Sequence, residues 1–164
     1  MSAPLHLSPL LINEETNEPY LRLPPPHSNI IITPPRLGDA EAIVEILNDR
    51  RVFYWLESTP YPYNLEHAKQ WLESTSKKSD MLIQQLEEVQ GGMVGGCPVR
   101  TLRKVKGNGD DVFLGDCEIS KWGFDEILDT GERARVTAEN EQRLPGDPKT
   151  VWAIGGAAYS CNAC

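Results

Sequence analysis

The fold is predicted chiefly from residues 33–74, TPPRLGDAEAIVEILNDRRVFYWLESTPYPYNLEHAKQWLES. Apolar residues recur there at helical spacing in two places, and a linker of aromatic residues and prolines joins the two. The spacing predicts one amphipathic helix over residues 39–48 and a second over residues 64–75. Asn64 is a favourable N-cap for the second helix. The apolar stripes are Ala40, Ile43, Val44 and Leu47 in the first helix, and Leu65, Ala68, Trp71 and Leu72 in the second.

Several short motifs follow one another in this stretch. They are Arg36-Leu37-Gly38-Asp39-Ala40-Glu41-Ala42, Asn48-Asp49, Val52, Trp55-Leu56, Tyr61-Pro62-Tyr63, and Glu66, Ala68 and Trp71-Leu72. In this order they resemble the opening of the GCN5-related N-acetyltransferases, in the branch of the ribosomal-protein and aminoglycoside acetyltransferases. A weaker resemblance, to fungal members of that family, continues through Gly95-Gly96-Cys97-Pro98-Val99-Arg100 and Gly115-Asp116 to Val151-Trp152-Ala153-Ile154-Gly155.

The resemblance implies an α/β (α+β) fold, an incomplete acyl-CoA N-acyltransferase domain with a mixed, mainly antiparallel sheet and flanking helices. It divides the chain into a Pro-rich arm with a short edge strand (1–28) and the N-terminal part of the acetyltransferase domain (29–155). An insertion is expected at about 124–148, and a tail outside the family pattern at 156–164. The arm is expected to be mobile before about Glu18.

The clearest hairpin is predicted between strands at residues 98–105 and 112–122, because Asn108-Gly109 favours a tight primed turn. A short strand at residues 151–154 is expected antiparallel beside the second hairpin strand. Strict alternation along that second strand assigns Phe113, Gly115, Cys117 and Ile119 to one face, and Asp116, Glu118 and Ser120 to the other.

Three further segments carry local signals. Residues 29–33 are typical of a buried strand, and residues 80–90 and 131–143 favour helices. The polar residues 75–79 are expected to break the helical pattern that precedes them.

Composition limits the function classes. A net charge of −8 argues against nucleic acid as the main partner, because nucleic-acid binding depends on neutralising phosphates. No stretch approaches the length of a membrane span, and no secretory signal is recognised, so a cytoplasmic or nuclear protein without a membrane partner is expected. The four cysteines are expected to be free thiols. Cys161 and Cys164 have C-x-x-C spacing, but a metal site needs more ligands, so a disordered tail with exposed thiols is favoured and no metal is expected.

The resemblance implies acetyl transfer from acetyl-CoA, as co-substrate, to an amine of unknown identity. The family places Trp55, Tyr61 and Tyr63 near the acceptor amine, although aromatic side chains beside helix ends also pack without binding anything. It places Ile154 and Gly155 on the strand that contacts acetyl-CoA. No catalytic residue is assigned.

Asp116 and Glu118 leave two alternatives open. They act as a general base if their strand face opens onto a cleft, and they otherwise form ion pairs with the neighbouring strand, which is the favoured alternative. None of the three histidines has a sequence neighbour that suggests catalysis.

The family's pyrophosphate loop, (Q/R)-x-x-G-x-(G/A), is not found after the strand that matches residues 151–155. Weak or absent acetyl-CoA binding is therefore expected, together with a truncated chain of impaired activity. The alternative is a non-catalytic interaction protein or an inert product. An uncovered edge at residues 151–154 predicts self-association, which Trp152→Lys is expected to reduce.

Overall fold

The computed structural model describes residues 7–56 and 59–158. One sheet contains, in sequential order, β1 (Leu11–Ile12), β2 (Pro19–Arg22), β3 (Ile30–Thr33), β4 (Thr101–Val105), β5 (Asp111–Lys121) and β6 (Trp152–Ala158). Between β3 and β4 lie α1 (Ala40–Asn48), α2 (Arg50–Phe53) and α3 (Leu65–Val89), and between β5 and β6 lies α4 (Thr130–Gln142). Every pairing among these strands is antiparallel. The predicted combination of helices with a mainly antiparallel sheet is confirmed, and the described strands include no parallel pair.

The predicted hairpin is present. β4 and β5 pair antiparallel across a turn in which Gly109 has a positive φ of 91°, a conformation that glycine adopts without strain. β6 pairs antiparallel with β5 from Lys121 opposite Trp152 to Gly115 opposite Ala158. The strand predicted at residues 151–154 therefore pairs as expected, and it continues to the end of the described residues.

The predicted break at residues 75–79 is wrong, because α3 is continuous through it. Thr75 and Ser79 lie one turn apart on the buried side of the helix. The Thr75 hydroxyl donates to the carbonyl of Trp71 at 2.9 Å, and the Ser79 hydroxyl donates to the carbonyl of Pro98 at 2.5 Å. Buried hydroxyls with partners do not interrupt a helix, so this polar segment connects α3 to the chain entering β4.

The prediction that the chain is mobile before Glu18 is also wrong for residues 7–17. Leu7 and Leu10 are buried and pack with Val99 in one apolar cluster. β1 pairs with β2, and Glu18 forms an ion pair with Arg36. The segment is fixed because two leucines three residues apart remove apolar surface from water.

A second apolar cluster joins the helices to the sheet. Its members come from α1, α3 and the segment before α3, and they are Ala40, Ile43, Tyr63, Ala68 and Leu72. Phe113 of β5 packs against this cluster. The predicted stripes of both helices supply most of this cluster.

A buried arginine fixes the start of α1 to the sheet. Arg103 of β4 donates to the Asp39 carboxylate, to Asp111 at 3.1 Å and to the Thr33 hydroxyl at 2.8 Å. The paired and hydrogen-bonded charges make this network costly to break. It holds α1 over β3, β4 and β5, next to the candidate site.

Candidate functional site

A cavity of about 760 Å³, here called the helix cavity, opens between α1, α3 and β5. Most of its wall is apolar or aromatic, formed by Ile43, Ile46, Leu47, Leu56, Pro60, Tyr63, Trp71 and Phe113. Its polar lining comes from Thr59, His67, Gln70, Asp116 and Glu118. A volume of this size is typical of small-molecule sites, and the two carboxylates give this one an acidic end.

A β-bulge turns those carboxylates toward the cavity. Leu102 lies opposite Gly115 and Arg103 lies opposite Phe113, so Leu114 is an extra residue in β5. Such an insertion shifts the alternation of side chains by one position. As a result Phe113, Asp116 and Glu118 line the same cavity. The predicted grouping of Phe113 with Gly115, Cys117 and Ile119 on one face, opposite the carboxylates, is therefore wrong.

Arg100 holds the acidic end in place. Its guanidinium donates to both oxygens of Asp116, at 2.7 Å each, and to Glu118 at 3.2 Å. The same guanidinium lies over the ring of Trp71, 5.2 Å from its centroid. Burial alone would lower the pKa of Arg100, but the hydrogen bonds and charges of Asp116 and Glu118 outweigh this and raise it. The predicted ion pairing is present, and it coexists with an opening onto the cavity.

The two carboxylates differ in availability. The Asp116 side chain is 17% exposed and has both oxygens bound by Arg100. The Glu118 side chain is 44% exposed and, within the described residues, receives one bond at Oε2. Glu118 therefore keeps hydrogen-bonding capacity that a ligand can use.

Of the three aromatic residues predicted at an acceptor, Tyr63 lies on the cavity wall. The Asn48 side chain fixes it to α1, since its Oδ1 accepts from the Tyr63 N–H at 2.9 Å and its Nδ2 donates to the Tyr63 carbonyl at 2.7 Å. Burial raises the pKa of the Tyr63 hydroxyl. The ring of His67 is 5.4 Å away, so these two rings form one side of the cavity.

Neither Trp55 nor Tyr61 is among the described residues that line the helix cavity. They are 80% and 62% exposed. Tyr61 stacks on Phe53 with ring centroids 4.2 Å apart, and Trp55 meets Tyr54 edge-on at 5.9 Å. Their predicted contact with an acceptor stays a prediction.

Ile154 and Gly155 border a second cavity of about 410 Å³, here called the strand cavity. Asp116, Glu118 and Gly156 line both this cavity and the helix cavity. The two cavities therefore meet at the carboxylates of β5. This places the residues predicted to contact acetyl-CoA next to the acidic end of the helix cavity.

Gly156 allows β6 to approach β5 closely at this meeting point. Its φ is +157°, and a Cβ placed on it would lie 2.3 Å from the carbonyl oxygen of Asp116. No side chain fits there without moving one of the strands.

Most of the lining residues were not functional candidates from the sequence, and His67, Trp71 and Phe113 are among them. His67 lies four residues before Trp71, so both project from the same side of α3. The backbone N–H of Asn64 donates to His67 Nδ1 at 3.3 Å, which leaves Nε2 as the ring nitrogen not used by the cap. Phe113 lies just before the bulge, and the shift in alternation at Leu114 puts its side chain on the same cavity as Asp116 and Glu118.

Within the described residues, His27 and the cysteines do not line the helix cavity. His27 is exposed, and His6, Cys161 and Cys164 lie outside the described residues. Cys97 and Cys117 are free thiols. Across residues 7–56 and 59–158, no group of three or more His, Cys, Asp or Glu side chains is placed to hold a metal ion.

No family model, no curated protein and no solved structure matches this chain. None of the helices in the described part of the chain is both long enough and apolar enough to cross a membrane.

Proposed function

We propose that this chain is an amine N-acyltransferase of the acyl-CoA-dependent kind that its sequence resembles. The observation that carries the proposal is the position of Glu118, where the helix cavity meets the strand cavity. The helix cavity holds the acceptor amine, and residues 153–156 border the place of the thioester. Acyl transfer needs both reactants side by side, and Glu118 stands between these two spaces.

Glu118 is the proton acceptor in this proposal. A protonated amine has no free electron pair, so its nitrogen must lose one proton before it attacks the carbonyl, and it loses a second proton as the amide forms. The first proton passes to the Glu118 carboxylate, which later returns it to solvent. The C–N bond forms as the C–S bond of the thioester breaks, and the second proton passes through solvent to the departing thiolate. Asp116 is a positioning residue, since Arg100 occupies both of its oxygens.

Residues 153–156 suit the acyl end of the donor better than its phosphates. They lie in extended β6 and border a cavity of about 410 Å³. Within the described residues, no glycine-rich loop opens a helix beside this cavity, where backbone N–H groups would bind a pyrophosphate. Weak or absent acetyl-CoA binding stays the expectation, so the assay uses a high concentration of the donor.

The test is release of free CoA from acetyl-CoA in the presence of a panel of primary amines. Wild-type chain is expected to release CoA in an amine-dependent way, with the acetylated amine identified by mass spectrometry. Glu118→Gln keeps the shape of the side chain and removes the base, so the rate is expected to fall about 100-fold. Glu73→Gln, on the exposed side of α3, is the matched control and leaves the rate unchanged. Amine-independent release, or equal rates for both variants, would refute the proposal.

A second candidate is a non-catalytic protein that pairs with a second copy of itself. It is favoured by β6, which in the described residues pairs with β5 on one side only and carries Ile154 at 81% exposure. An apolar edge strand of this kind attracts another strand. Light scattering at increasing concentration measures this directly. A larger mass that Trp152→Lys abolishes supports the second candidate, and a monomer at all concentrations excludes it.

A further inference from the structure

We propose that the acceptor is a small primary monoamine carried on an apolar body that is at least as large as one aromatic ring, with its ammonium group at Glu118. This inference rests on the proposed function and names the substrate class of the same site. Three features of the helix cavity support it: its charge, its walls and its volume.

The charge at the acidic end matches one ammonium group. Asp116 and Glu118 contribute two negative charges, and Arg100 contributes one positive charge in contact with both. The net charge of −1 is balanced by one cation. A polyamine would bring charges that find no partner along the apolar wall, and an amino acid would bring a carboxylate close to Glu118. Among the described residues, His67 and Tyr63 are the other titratable side chains that line this space.

The walls suit an apolar body rather than a peptide. Ile43, Leu47 and Phe113 line the cavity together with Tyr63 and Trp71. Peptide N–H and C=O groups buried against such walls would lack partners, which costs free energy for each unpaired group. Arg100 already covers one face of the Trp71 ring, so that face does not attract the ammonium group of the ligand. The ammonium group is attracted to the Glu118 carboxylate instead, and the rest of the ligand packs against the apolar side chains.

The volume is the third constraint. About 760 Å³ is far more than an ammonium group alone would fill, and it lies in the range of sites that enclose whole small molecules. An acceptor with an arylalkyl body would displace water from the apolar wall and gain free energy from that burial.

The test measures binding of amines to the full chain in the absence of an acyl donor. A failure of amine binding can then be distinguished from a failure of acyl transfer. The probes are 2-phenylethylamine, its neutral analogue 2-phenylethanol, spermidine, and a short peptide with a free N-terminal amine. Binding is measured by calorimetry at neutral pH. We expect 2-phenylethylamine to bind at least 10-fold more tightly than each of the other three probes.

Variants separate the charge from the wall. Glu118→Gln is expected to weaken 2-phenylethylamine at least 10-fold and to leave 2-phenylethanol unchanged, whereas the control Glu73→Gln changes neither. Tighter binding of spermidine or of the peptide overturns the inference, as does an amine preference that survives in Glu118→Gln. The four-probe comparison on wild-type chain decides the question even if the variant does not fold. Amine binding without acyl transfer would refute the proposed function and support the amine site. Acyl transfer only to polyamines or peptides would support the proposed function and refute the inference about the acceptor.

Discussion

The guanidinium of Arg100 and the carboxylate of Asp116 form a two-point ion pair, with Nε donating to Oδ1 and Nη2 to Oδ2, both at 2.7 Å. Glu118, two residues further along β5, receives one bond of 3.2 Å from the same guanidinium. Two carboxylates at one end of a cavity are thus separated into one that is fully engaged and one that is available. In the proposed function, this difference decides which of them meets the amine.

Arg100→Leu is expected to destabilise the chain by about 2 kcal/mol, because it leaves the mostly buried Asp116 carboxylate without its two donors. Arg100→Lys should recover only part of this loss, since one ammonium group cannot reproduce two parallel bonds. Urea unfolding followed by circular dichroism measures both. Arg135→Leu is the control, because Arg135 pairs with Glu132 and Glu139 on the exposed surface of α4. A loss for Arg135→Leu as large as for Arg100→Leu would contradict this prediction.

Gly156→Ala is expected to destabilise the chain by about 2 kcal/mol or more, because the new Cβ would lie 2.3 Å from the carbonyl oxygen of Asp116. The strands must separate to accommodate it, so amine binding at Glu118 should weaken as well. Gly155→Ala is the matched control on the neighbouring residue, where an added Cβ meets nothing within 4 Å. Thermal unfolding of both variants provides the comparison. Equal melting temperatures would show that β6 does not approach β5 as closely as described.

The parts of the fold that follow from local rules were predictable. The starts of α1 and α3 follow from apolar spacing and from the Asn64 cap, whose side chain accepts from the backbone N–H of His67 at 3.0 Å. The β4–β5 hairpin follows from Asn108-Gly109. In each case, residues within a few positions of one another determine the conformation.

The parts that depend on distant partners were not predictable. The continuity of α3 depends in part on the Pro98 carbonyl, which lies nineteen residues beyond Ser79. The orientation of Asp116 and Glu118 depends on the extra residue Leu114, which is recognised only in the pairing with β4. For that reason, strict alternation placed Phe113 on the face opposite Asp116 and Glu118, whereas all three line the helix cavity. Tyr63 was named from a family resemblance, and its place on the wall depends on two bonds to Asn48.

Asn140→Ala is expected to cost about 2 kcal/mol, because this buried side chain of α4 joins the ends of two strands. Its Nδ2 donates to the carbonyls of Trp122 at 3.2 Å and Val151 at 2.8 Å, and its Oδ1 accepts from the Val151 N–H at 2.9 Å. Removing the amide takes the bond to Asn140 from the Trp122 carbonyl and the Val151 N–H, and it leaves the Val151 carbonyl with the Trp122 N–H alone, at 2.9 Å. Asn140→Asp should also be costly, since a carboxylate cannot donate to either carbonyl.

The control for Asn140 is Gln142→Ala, an exposed position two residues later on the same helix. Hydrogen exchange at the Val151 N–H is the most direct measurement, because that amide loses its acceptor in the alanine variant. Unchanged protection at Val151 would mean that α4 does not hold the start of β6.

Cys117 of β5 makes the stability of the chain depend on pH. Burial raises the pKa of the Cys117 thiol, and the negative charge of Asp116 raises it further. The folded chain therefore holds this proton more tightly than the unfolded chain does. The resulting contribution to stability is fully present below the ordinary thiol pKa of about 8.5 and is lost as the pH rises through the folded pKa.

Reaction with iodoacetamide tests this, since only the thiolate reacts at a useful rate. Mass spectrometry of the peptide that contains Cys117, at a series of pH values, is expected to give a rate profile with its midpoint above that of the same peptide in denaturant. Asp116→Asn should move the folded midpoint back toward the ordinary value, because it removes the neighbouring charge while keeping the shape of the side chain. Identical midpoints in the folded and denatured chains would show that the Cys117 thiol is fully exposed to water and not partly buried. In that case the face assigned to β5 after its bulge, and with it the orientation of Glu118 toward the helix cavity, would have to be revised.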